Sequence, residues 1–189
     1  MERAAWHDAA VDDSALVRRI LDGDRDLFRV VVERESVVVY RACRRILGRP
    51  DAAEDVAQEA FLTAYRSLGS FRGNGSLGGW VTRIATRLAL RRVDRRPSVG
   101  LDQVAEPVEA RRHADPLGSL LHTEREATVR DALARLDEPY REVVALRYFG
   151  ELTLADIAAA TGRPLATVKT HLRRGLERLR PLLGEEVAA

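Results

Sequence analysis

The chain reads as an all-α protein: two small helical domains joined by a flexible linker, the second ending in a helix-turn-helix. Three observations carry this. The 189 residues are 46% hydrophobic and 32% charged, with only 5% aromatic residues and abundant Ala and Leu, a composition that suits helices. Apolar residues recur at helical spacing on both sides of proline and glycine punctuation. Between them, residues 98–119 (SVGLDQVAEPVEARRHADPLGS) hold Pro107, Pro116, Gly100 and Gly118 and no sustained period. The expected division is a flexible tail over 1–12, a first domain over 13–96, a linker over 97–119 and a second domain over 120–184.

The first helix starts near Asp13, with Leu16, Val17, Ile20 and Leu21 on one side, and Gly23 ends it. Asp24 can cap a long stretch over 26–47. Its run VVVERESVVVY is rich in β-branched residues, which favour strands. No turn signal separates the run from helical neighbours, so helix is expected there too. Gly48-Arg49-Pro50 turns the chain into the next helix, where Asp51 and Glu54 are compatible with a capping box. At about 100° per residue, Ala57, Ala60, Phe61, Ala64 and Leu68 form an apolar face. Asp55, Glu59, Leu62 and Arg66 fall opposite, with Gln58 at the edge. Leu62 amid charge is either an ordinary exposed leucine or an apolar contact ringed by charge, as at a protein interface. After a Gly-rich loop holding Phe71, Arg72, Gly73 and Asn74, a fourth helix begins at Ser76. Val81, Ile84, Ala85 and Leu88 form its inner face, and Trp80, Arg83, Arg87 and Arg91 a stripe beside it. Two glycines, Gly78-Gly79, weaken its first turn and predict a mobile loop.

In the second domain a helix is expected from Leu120 to Leu136. Pro139 opens another, with Tyr140, Val143, Val144 and Leu146 inside and Gly150 at its end. Thr153 can cap a short helix over 154–160, Thr161-Gly162-Arg163 turns, and Pro164 starts a last helix to Leu183. Counting from Leu154, the fifth residue is Ala158, the ninth Gly162 and the fifteenth Val168. Those are small, glycine and apolar, as a helix-turn-helix requires. Leu165, Val168, Leu172, Leu176 and Leu179 lie on one face of the last helix. Thr167, Thr170, Arg173 and Arg174 lie on the other, with Arg163 and Lys169 flanking and His171 at an edge.

Charge sharpens this. The formal net charge is +2, and all but one of the 31 basic groups are arginine. Arginine suits phosphates and base edges, though genome composition explains the bias equally well. Six arginines and one acid fall between Arg83 and Arg96, and six basic residues and one acid between Arg163 and Arg180. Residues 98–138 carry nine acids against five arginines, a local balance of −4 between two basic ends. Arginines aligned beside Trp80 and Phe71 fit single-stranded nucleic acid, by phosphate neutralisation and base stacking. A basic face of short hydroxyls and arginines fits the major groove. Catalysis finds no support: Asp55 and Glu59 share a face, but no nucleophile or phosphate loop accompanies them. His7, His113, His122 and His171 have no ligand spacing, so neither metal nor cofactor is expected. The single cysteine, Cys43, excludes an intrachain disulfide and reads as a core residue. No apolar run approaches membrane-span length and the N-terminus is unlike a signal peptide, so a cytoplasmic protein without membrane insertion is expected.

The run AEDVAQEAF followed by FRG and W-x-x-R-I-A resembles domain two of bacterial RNA polymerase sigma factors, in the short extracytoplasmic-function (ECF) class. The run LDEPYREVVALRYFGELTLADIAAATGRPLATVKTHLRRGLERLR resembles domain four. The resemblance implies that Asp55, Gln58, Glu59 and Leu62 meet the clamp helices of the polymerase's largest subunit, the flap of the second largest being a further contact. It implies that the loop Phe71 to Ser76, with Phe71, Arg72, Gly73 and Asn74 as its minus-10 contacts, forms a pocket for a base flipped from the minus-10 element. Trp80, Arg83, Arg87 and Arg91 would contact the melted strand. The last helix, with Arg163, Thr167, Lys169, Thr170, His171, Arg173 and Arg174, would read the minus-35 element. The linker would thread the polymerase cleft, and an anti-sigma factor would mask one or both faces. Three positions depart from the family: Arg87 stands where asparagine is usual, Gly78-Gly79 replaces bulkier residues, and Arg173 replaces an apolar group of some relatives. The alternative is a stand-alone dimeric helix-turn-helix regulator, which needs neither the Asp55–Leu62 face nor the Trp/Arg stripe.

Overall fold

The computed structural model describes residues 12–95 and 116–183, with the side chains of the second stretch described from residue 124 onward. The outer parts of the expected tail and most of the expected linker lie outside these residues. The described residues form eight α-helices: α1 Asp13–Leu21, α2 Phe28–Leu47, α3 Pro50–Arg66, α4 Leu77–Asp94, α5 Pro116–Ala134, α6 Tyr140–Tyr148, α7 Leu154–Thr161 and α8 Leu165–Leu183. No strand occurs among them, and the expected all-α fold is the one observed.

The first four helices pack as a bundle around Leu16, Val31, Val39, Val56, Ala60, Leu68, Leu77, Val81 and Ala85, all within 1% of complete burial. The β-branched run is helical throughout: Val30, Val31 and Val39 are core residues, while Val37 and Val38 stay exposed. Tertiary packing of one face outweighs a small intrinsic preference for strand. Gly48 ends α2 in the left-handed region, φ 76°.

Local punctuation differs at several points. Helix α3 starts at Pro50, with Arg49 in the N-cap position and no side-chain cap. Asp51 is therefore inside the first turn, paired with Arg49 at 2.5 Å, and the expected capping box does not form. Proline at the first helical position explains this: its missing N–H is one that the helix end leaves unpaired anyway. Asp24 likewise caps nothing; it accepts from Arg19 at 2.8 Å, ahead of a short 3₁₀ turn over Arg25–Leu27. Leu21 is 55% exposed rather than in the core. Helix α5 begins at Pro116, ahead of the expected Leu120.

Helices α6, α7 and α8 build the second module. Thr153 caps α7 with the reciprocal Asp156 bonds of a capping box, and Gly162 closes it at φ 68°. Val143, Leu146, Ile157 and Val168 form its small core, each fully buried. Leu165, expected on the inner face, is the first residue of α8 and is 42% exposed. Gly175 lets α8 close on α6: a Cβ there would lie 2.7 Å from a Val144 methyl. The modules also touch each other, α4 lying against α6 and α7.

Candidate nucleic-acid interface

The loop before α4 is held from three directions. Asp13, at the start of α1, accepts the Leu77 backbone N–H at 2.5 Å with one carboxylate oxygen and an Arg34 N–H at 2.6 Å with the other. Arg34 also donates to Glu35 at 2.7 Å. Ser76 caps α4 by accepting from the Gly79 N–H at 3.0 Å. This Asp13–Arg34–Glu35 network was not foreseen in the sequence, since its members lie on two different helices. It also reverses the expectation for Gly78-Gly79. Both glycines are buried, and a Cβ on Gly78 would overlap the Glu35 carboxylate. The glycines bring α4 close to its neighbours rather than loosening it.

Within that frame Phe71 and Trp80 meet edge to face, 5.7 Å between centroids, and both are half-buried. Arg72, Gly73, Asn74, Arg87 and Arg91 are exposed, while Arg83 is half-buried. A cavity of about 280 Å³ is lined by Phe71, Arg72, Asn74, Trp80 and Arg83 on one side and by Asp156, Ala159 and Gly162 of the second module on the other. Gly73 and Gly75 adopt φ 69° and 143°, which a side chain would strain. The loop thus joins an aromatic pair to a row of cationic groups around a hollow.

On α3, Asp55, Gln58, Glu59 and Leu62 are all exposed, Leu62 by 57%. Leu62 stands at the rim of a groove floored by Phe28, Val32, Phe61 and Tyr65. Phe28 and Tyr65 meet edge to face at 5.0 Å. The leucine therefore belongs to a continuous apolar surface edged by Arg25, Asp26, Arg29 and Gln58.

On α8, Lys169, Arg173 and Arg174 are exposed and Thr167 and Thr170 half-exposed on one side of the helix. Arg173 pairs with Glu177 at 2.5 Å. His171 faces inward: its ring packs edge to face on Tyr140 at 5.6 Å, and its Nδ1 is buried without a partner. Burial, then the charges of Arg163 and Arg174, push its pKa below the usual histidine value. Arg163 leaves the others and donates to Glu142 at 2.8 Å. Cys43 is wholly buried, its thiol pushed up to about 12 by that burial. Among the described residues no group of three or more His, Cys, Asp or Glu could hold a metal, and no helix is long and apolar enough to cross a membrane.

Glu142 was not singled out in the sequence. Its side chain is 7% exposed, and it accepts from Arg83 at 3.0 Å through one oxygen and from Arg163 through the other. Burial pushes its carboxyl up, but the Arg163 hydrogen bond and the charges of Arg83 and Arg163 together hold it below the usual range. The signal available was weak: an acid on the side of α6 that also carries Leu146.

Comparison with known proteins places the two modules in families. Residues 31–97 match the family model Sigma-70 region 2, and residues 126–179 match Sigma-70, region 4. The chain is 34% identical over 176 residues to the ECF RNA polymerase sigma factor SigW of Bacillus subtilis, covering 88% of this chain and 94% of that protein. It is 35% identical over 187 residues to the RNA polymerase sigma-H factor of Pseudomonas aeruginosa, covering 92% and 96%. The fold is similar to that of CnrH in complex with the cytosolic domain of CnrY, at a TM-score of 0.62, 22% identity and coverage of 92% and 97%. It is also similar to RpoE of Bartonella quintana bound to the anti-sigma factor NepR, at 0.51, 22%, and coverage of 84% and 97%.

Proposed function

The chain belongs to the extracytoplasmic-function class of RNA polymerase sigma factors, and we propose that its two modules divide the work as follows. As a sigma factor it binds core RNA polymerase and directs promoter recognition, DNA melting and transcription initiation. The first module, residues 13–96, docks on the polymerase and opens the minus-10 element. The second, residues 120–184, reads the minus-35 element, and residues 97–119 join them. The observation that carries the reading is the order of two different family matches along one chain, region 2 before region 4.

Asp55, Gln58, Glu59 and Leu62 bind the polymerase clamp helices, with the Leu62 groove taking an apolar side chain and the acids taking basic ones. The Phe71–Asn74 loop receives a flipped base. Extruding a base costs a few kcal/mol, and stacking on an aromatic ring returns about 1–3 kcal/mol, so capture supplies much of the drive for opening. Trp80, Arg83, Arg87 and Arg91 hold the freed strand. With arginine at position 87, this contact falls on phosphate or guanine rather than on the adenine edge that asparagine reads. Arg163, Thr167, Lys169, Thr170, His171, Arg173 and Arg174 serve the minus-35 duplex. His171 acts there through packing, setting the angle of α8 against Tyr140. The polymerase performs phosphoryl transfer; this chain supplies binding alone. An anti-sigma factor is the expected regulator, in line with the NepR complex of the structural neighbour.

Run-off transcription from a promoter library tests this, using purified core polymerase with and without the protein. Transcripts that need the wild type and vanish with Leu62→Asp are expected. Duplex binding by a free dimer, with no transcripts, would replace this reading with a stand-alone regulator.

A further inference from the structure

The loop between Phe71 and Ser76 does not hold its own shape. Among the described residues none exchanges a hydrogen bond with Arg72, Gly73, Asn74 or Gly75. Gly73 and Gly75 take positive φ values, which glycine adopts without cost, so local sterics do not confine the segment either. Such a loop is placed by what grips its ends. At one end Phe71 stands edge to face on Trp80. At the other, the Leu77 N–H is the first of the donors that a helix start leaves unpaired. It goes not to the local cap but to Asp13, 64 residues earlier in the chain. Ser76 takes only the Gly79 N–H. The middle of the loop leans on the same turn of α1, since a Cβ on Gly73 would lie 2.9 Å from the Ser14 hydroxyl. Asp13 is itself held by Arg34, and Arg34 by Glu35. At 18%, 17% and 15% exposure, these three side chains are shielded from water and salt. Both carboxylates stand at the positive end of α4, where the helix dipole favours them.

We propose that Asp13, backed by Arg34 and Glu35, is a positioning residue for base capture: it fixes where the Phe71–Ser76 loop enters α4, and with that which base the loop accepts, without meeting DNA itself. The proposal rests on the reading of that loop as the receiver of a flipped base. Leu77 lies one turn before Trp80 on α4, so the bond to Asp13 sets the loop against the aromatic pair and against Arg83. A shift at Leu77 moves Arg72 and Asn74 relative to that pair. Telling one base from another needs donors and acceptors placed within the narrow tolerance of a hydrogen bond. Holding a strand needs stacking and phosphate neutralisation, which tolerate small shifts. An anchor that sets the loop therefore governs base preference more than overall affinity. Its charge has a second consequence. A helix start attracts phosphate, and here the Asp13 carboxylate already occupies that place. The strand's backbone is left to Arg83, Arg87 and Arg91, and the loop to a base.

The test uses the full chain assembled with core polymerase, and a fluorescent single strand carrying a minus-10 sequence obtained from the run-off transcripts. Anisotropy is read for that strand, for strands with each other base at its most sensitive position, and for a strand abasic there. Asp13→Ala should lower the preference for the best base by about tenfold, the weight of a charge-assisted bond. Affinity for the abasic strand and for core polymerase should stay that of wild type. Asp13→Asn keeps an acceptor for the Leu77 N–H and drops the charge facing Arg34, so it should lose about threefold. A merely structural role would instead weaken every strand alike. If Asp13→Ala misfolds and loses core affinity, Asp13→Asn decides: a partial loss of preference upholds the proposal, and a wild-type preference overturns it. Preference unchanged in both variants, or lost in step with abasic affinity, overturns it too. Asn74→Ala separates this from the capture reading. If that variant loses the preference while Asp13→Ala keeps it, capture stands and the positioning role falls. A wild type that binds the abasic strand as tightly as the intact one captures no base, and both readings fall together.

Discussion

Glu142 is a buried carboxylate that meets two arginines, one from each module. Its replacement by alanine leaves Arg83 and Arg163, at 23% and 28% side-chain exposure, facing a void where their anion was. Water still reaches both, so the cost is that of lost charged hydrogen bonds, about 1–3 kcal/mol, and not that of a fully buried orphan charge. A lower urea midpoint for Glu142→Ala than for wild type checks it. The pH dependence has a definite sign. The folded-state carboxyl titrates below its ordinary value of 4.5, so its stabilisation is complete above that pH and is lost as pH falls through the lower folded value. Wild type should therefore lose stability between pH 5 and acid conditions, and Glu142→Gln should lose less over the same interval. A second position, Gly175, follows from packing alone. Leucine there would drive into Val144 and Tyr140, where even a Cβ is too close, and overpacking of this kind costs about 1–3 kcal/mol. Thermal melting of Gly175→Leu should show it. Neither residue stood out in the sequence, since a lone acid and a lone glycine in helices gain meaning only from the neighbour placed against them.

At the scale of the element, the helices themselves were legible and their ends less so. Periodicity and the Gly48, Gly150 and Gly162 stops placed the helices, because those signals are local. Where the expectation failed, a competing local device was stronger: Pro50 takes the first helical position and moves Asp51 inside α3. Gly78-Gly79 misled for a different reason. Glycine in a helix start reads as looseness, yet here the absent side chains admit Glu35, and α4 is anchored through Asp13 and Ser76. The Thr153–Asp156 capping box is the clearest element-scale target. Thr153→Ala removes the hydroxyl's bond from the Asp156 N–H at 3.1 Å and its bond to the Asp156 carboxylate at 2.6 Å, and leaves the reciprocal bond from the Thr153 backbone N–H in place. Loss of such a cap costs about 1 kcal/mol. The effect should concentrate in α7 and α8, read as faster amide exchange there and not in α2 or α3. On α3, Leu62→Asp should abolish core-polymerase binding while leaving the melting temperature near that of wild type, because the side chain is 57% exposed and contributes little to the core.

For the whole molecule, what the sequence could not supply was how the two modules face each other. Their charge patterns read as two independent basic surfaces, and nothing local says that an acid of one lies against an arginine of the other. That relation governs a measurable property. A chain that contacts single-stranded DNA through several arginines should lose affinity linearly in a double-logarithmic salt plot, with a slope near −0.7 per phosphate neutralised. The pairs that join the modules respond to salt as well. Arg45–Glu151 and Arg141–Asp94 have partners 58% and 45% exposed, so added salt screens them. The apolar packing through the same seam, where Val144, Ala145 and Leu179 join one core with Ala89 and Leu90, is not screened. Arg45→Glu should therefore lower stability by no more than about 1 kcal/mol. Its urea midpoint, compared with that of wild type across a salt series, should show a deficit that shrinks as salt is added and leaves the helices folded throughout.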